Sequence, residues 1–364
     1  MQPKDSYDIV VVQGDGIGPE VCSAALEVLR AAFGNVPKLA FTEHEAGAGC
    51  YRRTGSAFPE TTFAACKASD AVLHGAAGLP GVTHPDGTEA GLDFGLQLRF
   101  RLDLFANIRP IRLLPGIVSP LRHFEPGQID YVILRENTEG LYAARGGGNL
   151  LHDSIASDTL IITRAGTERI VRAAFELARK RNGAPRDGQR RVTVCDKANV
   201  LRSYAFFRKV ATEVAANYPD VELDYALADA MTAHLVHRPD FYDVIVTENM
   251  FGDIISDLGA ASVGSMGMSP TGEVGTDNGF FQAAHGSAPD IAGQGVANPI
   301  GTILASVLML DWLGERHGDL ELRQQARRIE RAVEKVMAGG GLLTPDLGGE
   351  AGTGEVTRAV IDAL

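Results

Sequence analysis

Short runs of β-branched and apolar residues alternate with amphipathic stretches of helical length along nearly the whole chain. The apolar runs fall at residues 9–12, 71–73, 131–134, 160–163, 192–195 and 244–247. The amphipathic stretches fall at 19–32, 167–180, 200–216, 251–261, 299–313 and 320–337. A strand that returns through a helix comes back in the same direction, so this alternation predicts an α/β fold with a largely parallel twisted sheet. Pro19 and Glu20 mark an opening helical turn, and Arg179, Lys180 and Arg181 a closing one, matching the polarity of the helix dipole. No Pro/Ser-rich linker cuts the chain, so a second domain must be an insertion or share the sheet. Residues 259–279, rich in Gly, Ser, Thr and Asp, read as the most loop-like stretch. The glycine triplets at 146–148 and 339–341 read as surface loops.

Size and charge narrow the function. A chain of 364 residues is long enough for two lobes. Its hydrophobic content of 45% is that of a soluble globular protein. A net charge of −12 argues against nucleic-acid or anionic-membrane partners. If the substrate is an anion, local arginines must overcome that repulsion. Apolar runs fall well short of the roughly 20 residues a membrane span needs, and the first residues show no signal pattern. Cys22, Cys50, Cys66 and Cys195 are scattered without CxxC spacing, as expected of buried thiols in a reducing, cytoplasmic setting.

In the segment 246–257, VTENMFGDIISD, an apolar strand is expected to run into Gly252, with Asp253 and Asp257 following on a helix. Residues four apart share a helix face. Two carboxylates held together repel unless a cation joins them, and an all-oxygen set favours Mg²⁺ or Mn²⁺. The competing reading is an exposed helix start, where acids complement the dipole. GDGIGPEV, from Gly14, follows the first strand, but Pro19 breaks the GxGxxG spacing and with it an ordinary Rossmann reading. Arg99, Arg109 and Arg135 lie in or beside apolar segments, placed either to pair with an internal acid or to clamp a carboxylate. Tyr142 is flanked by glycine, and Lys197 ends a strand; a core aromatic and a surface cation are the plainer alternatives. Asp229 opens a helix, as a cap or as a ligand. The loop 284–293, with His285, Gly286, Ser287, Ala288 and Asp290, leads to Asn298. Its small residues permit close backbone approach to a ligand. An acid such as Asp290 accepts ribose hydroxyls and repels a 2′-phosphate.

Six ordered motifs, GDGIGPEV, LFANIRP, RENTEGLY, CDKANV, FGDIISD and HGSAPDIAG, together resemble the β-decarboxylating dehydrogenases. This is the isopropylmalate, isocitrate, homoisocitrate and tartrate/D-malate dehydrogenase family, and the resemblance covers nearly the whole chain. It implies a two-domain fold distinct from a Rossmann domain, with an NAD-binding domain from 1–104 and 264–364. Residues 105–263 would bind substrate and metal and dimerise. It implies that Arg99, Arg109 and Arg135 grip substrate carboxylates, that Tyr142 and Lys197 are catalytic, and that Asp229, Asp253 and Asp257 bind Mg²⁺ or Mn²⁺. Lys197 and Asp229 would serve the neighbouring subunit's site, so the functional unit would be a homodimer. NAD would lie on the 284–293 loop, with Asp290 at the adenosine ribose and His285 and Asn298 near the adenine. The implied reaction oxidises a 2-hydroxy acid by hydride transfer to NAD⁺, after which the β-carboxylate leaves as CO₂.

Departures from the family pattern bear on the substrate. Asp93 and Gly95 stand where isocitrate enzymes place Ser and Asn, and Asp93 would repel a γ-carboxylate. Of the Glu and two leucines usual in isopropylmalate enzymes, Leu96 alone is retained; Leu92 and Phe94 are expected to supply an apolar wall. Gly95 would enlarge the pocket, and Asp93 would be able to bind a substrate hydroxyl. The expectation is a 3-substituted malate, with 3-isopropylmalate favoured over tartrate, D-malate or homoisocitrate. Gln282 replaces a glutamate expected near the nicotinamide, and Gly78-Leu79-Pro80-Gly81 departs from the usual glycine-rich pattern. A catalytically silent regulatory subunit is opposed by the intact Tyr142, Lys197 and three aspartates.

Overall fold

The computed structural model describes residues 2–34, 38–121 and 123–364. Contacts divide the chain into two compact units. The first comprises Met1–Leu104, Leu114–Val118 and Gly264–Leu364; the second comprises Phe105–Leu113 and Ser119–Val263.

The first unit begins with β1 (Tyr7–Gly14), α1 (Gly18–Phe33), β2 (Leu39–Glu43), α2 (Ala48–Thr54), α3 (Glu60–Ala68), β3 (Ala71–Ala76) and α4 (Asp93–Arg101). The second unit holds β4 (Ala106–Arg112), β5 (Asp130–Glu136), β6 (Asn149–Leu151), β7 (Ile155–Ser157), α5 (Arg164–Lys180) and β8 (Arg191–Asp196). It continues with α6 (Arg202–Ala215), β9 (Glu222–Leu227), α7 (Ala228–His237), β10 (Val244–Thr247) and α8 (Asn249–Ser262). The chain then re-enters the first unit with β11 (Pro270–Val274), β12 (Gly279–Ala283), α9 (Ile300–His317), α10 (Leu320–Ala338) and α11 (Thr353–Ala363).

Each unit carries five strands of mostly parallel sheet. The order is β2-β1-β3-β12-β11 in the first and β4-β5-β10-β8-β9 in the second. Two pairings run antiparallel, β11 with β12 and β4 with β5. Strands covered by helices on both faces need apolar side chains throughout, and β3, β8 and β10 are buried at every position. In the first unit Val10, Val12, Phe58, Val72, Phe94, Leu98, Leu104 and Phe280 form one cluster. The β6–β7 hairpin lies outside these sheets, and all six of its strand residues are exposed.

Three expectations are corrected. Residues 160–163 form no strand: Ile161 makes an isolated bridge with Gly140. Thr163 instead caps α5 through its hydroxyl, with its own amide donated to Glu139, and that diversion of donors removes it from any ladder. The stretch 259–279 is not a loop, since it contains the end of α8 and the whole of β11. Its small residues fit because the Phe281 ring covers them; a Cβ on Gly272 would stand 3.1 Å from that ring. Gly252 does not close a strand but lies inside α8, whose N-cap is Glu248.

Candidate active site

In the second unit the polar site is built on the ends of β4 and β5 and the first turns of α8. The Glu248 carboxylate accepts the amides of Met250 and Phe251, which starts α8 directly after β10. Asp253 and Asp257 then share one helix face, as their spacing requires. Gly252 and Gly259, seven residues apart, let the opposite face sit close to the sheet. A Cβ on Gly259 would meet Ile111 and Tyr131 at 2.9 Å.

Three side chains converge on Asp253. Arg135 Nη1 donates to Asp253 Oδ1, and Arg109 Nη2 lies 3.2 Å from the same oxygen. The Tyr142 hydroxyl donates to Oδ2 at 2.9 Å. Its ring centroid is 5.4 Å from the Arg135 guanidinium carbon, within cation–π range. Arg109 Nη1 reaches Asp257 Oδ1 at 3.9 Å. Burial pushes the Asp257 carboxyl above the usual carboxylate range; Arg109 opposes that and Asp253 reinforces it.

The two guanidiniums are held from behind. Arg135 is buried, and its Nε and Nη2 donate to Asn249 Oδ1 at 3.0 and 2.7 Å. Asn249 in turn donates to the Glu139 carbonyl at 2.9 Å. Arg109 donates to Asn107 Oδ1 at 3.2 Å and to Ser256 Oγ at 2.5 Å. Asn249, Asn107 and Ser256 were not singled out in the sequence. Ser256 lies between the two aspartates and Asn249 one helical turn before Asp253, which was the available signal.

Lys197 and Asp229 form a second pair at 2.6 Å. The Lys197 ammonium holds the Asp229 carboxyl below its ordinary range. Asp229 lies in the first turn of α7, whose N-cap is Leu227, so a capping role does not explain it. Among the described residues no three His, Cys, Asp or Glu side chains come together as a metal site. Within one chain, Asp253 and Asp257 are therefore gathered without Asp229.

In the first unit, GDGIGPEV and HGSAPDIAG meet. The Ile17 amide donates to the Ser287 carbonyl at 2.8 Å, and Gly16 is required because a Cβ there would stand 1.9 Å from that oxygen. The Asp15 carboxylate accepts the amides of Ala48, Gly49 and Gly78. Ser287 Oγ donates to the Gly78 carbonyl at 2.5 Å. The 78–81 departure thus starts at a glycine fastened to both motifs. His285 Nδ1 lies 2.9 Å from the Gly286 carbonyl. A carbonyl only accepts, so that nitrogen carries the proton, and the buried Nε2 is an acceptor unmatched by the chain. Burial holds this imidazole below its usual range and hence neutral near pH 7. Asn298 donates to Asp346 at 3.0 Å and accepts the Ile300 amide at 3.0 Å, opening α9. Asp290 is exposed.

Residues around α4 fall out differently from expectation. Arg99 is engaged by Glu273, with Nε 2.6 Å and Nη2 2.7 Å from its carboxylate oxygens. Sequence reasoning missed Glu273 because it lay in the stretch read as loop. Asp93 is 2.9 Å from His84 Nε2, which competes with any substrate hydroxyl. Phe94 cannot line an apolar wall, being fully buried against Phe58, His74 and Phe280. Leu92 is exposed and Leu96 half-buried. A Cβ on Gly95 would meet nothing closer than Phe280 at 3.9 Å.

Residues 8–363 match the isocitrate/isopropylmalate dehydrogenase family. A 3-isopropylmalate/3-methylmalate dehydrogenase of Methanocaldococcus jannaschii is 42% identical over 355 residues, covering 97% of this chain and 98% of that protein. An Agrobacterium vitis protein named "Probable tartrate dehydrogenase/decarboxylase" is 40% identical over 369 residues, with 98% of each covered. Among solved structures, isocitrate dehydrogenase from Methylococcus capsulatus superposes with a TM-score of 0.85 at 35% identity, covering 98% of this chain and 99% of that one. The chain belongs to the isocitrate/isopropylmalate dehydrogenase family of β-decarboxylating dehydrogenases, oxidoreductases that need a nucleotide and a divalent metal ion.

Proposed function

We propose that this enzyme oxidatively decarboxylates a 3-alkylmalate, with 3-isopropylmalate the favoured substrate, using NAD⁺ and Mg²⁺ or Mn²⁺. The observation that carries the reading is the convergence of Arg109, Arg135 and Tyr142 on Asp253, one turn from Asp257. Two cations, a phenol and paired carboxylates are the groups that binding a metal-chelated hydroxy dicarboxylate requires.

The residues fit the absent groups. Asp253 and Asp257 supply oxygen donors suited to a hard ion; burial and, after it, the like charge of Asp253 raise the Asp257 carboxyl, and a cation between the two would relieve that repulsion. The partner subunit's Asp229 would complete the set. Once bound, the ion acidifies the substrate hydroxyl and withdraws electrons during decarboxylation. For the nucleotide, the unmatched His285 Nε2 suits a donor on the adenine. Asp290 is exposed, free to meet ribose hydroxyls, and Gly286, Ser287, Ala288 and Asn298 would line the remainder. The carboxylate of Asp290 disfavours a 2′-phosphate, so NAD is preferred over NADP.

In the reaction Arg109 and Arg135 hold the substrate carboxylates in register, and Arg99 contributes a third cation. The partner subunit's Lys197, acting as the neutral amine, would take the hydroxyl proton, and Tyr142 would return a proton at C3. Leu92 and Leu96 form the apolar side for the alkyl group, and Gly95 leaves it room. Asp93, tied to His84, is turned to structure, which favours an alkyl over a hydroxyl substituent and so 3-isopropylmalate over tartrate.

A homodimer is supported by apolar side chains that one chain leaves uncovered in its second unit. Leu150, Leu151 and Ile155 on the hairpin, Val200 and Leu201 after Lys197, and Ile254 beside Asp253 are all exposed. Exposed apolar side chains of this kind are what an interface would cover, here with a second copy that would also bring Lys197 and Asp229. The four cysteines are buried and unpaired, and among the described residues no helix is long and apolar enough to cross a membrane; both accord with a cytoplasmic enzyme. The deciding experiment follows NADH formation with 3-isopropylmalate, D-malate, tartrate, homoisocitrate and isocitrate, with and without a chelator. Best turnover on 3-isopropylmalate that vanishes with the chelator supports the reading; preference for tartrate or isocitrate overturns it.

A further inference from the structure

The edge with which Arg99 would clasp a carboxylate in two parallel hydrogen bonds is filled from within the chain. Nε lies 2.6 Å from Glu273 Oε2, and Nη2 lies 2.7 Å from Oε1. The Glu273 side chain is 0% exposed. Gln282 Nε2 donates to the same Oε1 at 2.9 Å. Glu273 and Gln282 stand on antiparallel β11 and β12, where Thr271 faces Gln282 and Glu273 faces Phe280. They are therefore diagonal neighbours on one face of the ladder. Arg99 reaches them from the last turn of α4.

We propose that Glu273 is a positioning residue for Arg99, and that Gln282 keeps Glu273 ionised and aimed. The proposal rests on the reading that Arg99 receives a substrate carboxylate. A carboxylate with no water contact persists as an ion only beside its cation and with its other lone pairs satisfied. A ligand that took the Nε–Nη2 edge would strand Glu273, so the pair stays closed and sets the angle from which Arg99 meets the substrate. The neutral residue at 282 then has a physical cause. A glutamate there would bring a second carboxylate against Glu273 Oε1, and two such groups must share a proton or separate. Gln282 acts on Arg99 through Glu273 and not on the nicotinamide.

The test uses the full-length enzyme with its best 2-hydroxy acid. Gln282→Glu is expected to raise KM for the hydroxy acid about tenfold at pH 8 and leave KM for NAD⁺ unchanged. That loss should fade as the pH falls and the added carboxyl takes up the shared proton. Glu273→Gln should raise the same KM at least tenfold with a smaller change in kcat, and Glu273→Asp should recover part of it. A purely structural role would produce no recovery at low pH. A pH-independent effect of Gln282→Glu, or one confined to NAD⁺, overturns the proposal. A second readout needs no turnover: the ¹⁵N resonance of Arg99 Nε–H, assigned by its loss in Arg99→Lys. Slow solvent exchange in the native protein that turns fast in Glu273→Gln supports the pairing, and unchanged exchange refutes it. If no hydroxy acid is oxidised by the native enzyme, the substrate reading fails while this resonance still decides the Glu273 role.

Discussion

Gly252 lies flat against the aliphatic stem of Arg135, where a Cβ would stand 2.6 Å from Cγ and 2.7 Å from Cβ of the arginine. Helix α8 thus approaches β5 closely enough for Asn249 and Asp253 to reach the guanidinium at its far end. Alanine inside a helix ordinarily gains about 1 kcal/mol over glycine. Here overpacking opposes that gain and costs about 1–3 kcal/mol. Gly252→Ala is expected to lower the urea midpoint and raise KM for the hydroxy acid, since Arg135 must shift. A more stable Gly252→Ala protein would show that the contact is slack.

Glu136 follows Arg135 at the end of β5. Burial pushes its carboxyl up from 4.5 to about 7, against hydrogen bonds from Thr138 and Glu139. Between those values the folded protein holds a proton that the unfolded chain has released. The stability this group contributes is therefore full below about pH 4.5 and declines as pH rises towards 7, by at most about 3 kcal/mol. Glu136→Gln keeps the contacts, because its amide can donate to the Thr138 hydroxyl. It is expected to flatten stability against pH in that window, as read from urea melts. An unaltered slope would assign the pH dependence elsewhere.

In the proposed metal site the paired aspartates would make metal affinity a proton competition. Asp257 sits above the usual carboxylate range, so Mn²⁺ binding should begin to weaken at a higher pH than an ordinary aspartate would dictate. Asp257→Asn should weaken Mn²⁺ binding at least tenfold by calorimetry, on the order expected when a charged oxygen ligand is lost. Equal Mn²⁺ affinity in the variant would remove Asp257 from the metal site.

The proposed sharing of sites between two subunits predicts complementation. Tyr142→Phe and Lys197→Ala dimers should each turn over slowly, with Lys197→Ala losing kcat far more than substrate binding. Unfolding and refolding them as an equal mixture should restore about a quarter of native turnover. Half the dimers would then be mixed, each with one intact site. A mixture no faster than its components would mean that each chain uses its own Lys197.

Much of the architecture was legible because its signal is local. The buried strands β3, β8 and β10 centre on short apolar or β-branched runs, and α1, α5 and α10 carry apolar residues at helical spacing. β11 was hidden because Pro270, Gly272 and Glu273 have low strand preference, and its pairing with the antiparallel partner β12, under the Phe281 ring, makes that segment a strand. Residues 160–163 failed in the opposite sense. Their β-branched composition gave way to the hydrogen bonds of Thr163 with Glu139 and Gly166.

The alternating α/β chain, the pairing of Asp253 with Asp257 on one helix face, and the motif order that marks the family can all be read from the order of residues. Those follow from periodicity and spacing, which act between residues close along the chain. Tertiary structure alone decided which arginine faces which acid. Glu273 comes to Arg99 across 174 positions and Asn249 to Arg135 across 114. Such partners are chosen by where strands and helices bring buried charges together, since an ion shut off from water must find its counterion wherever the fold supplies one.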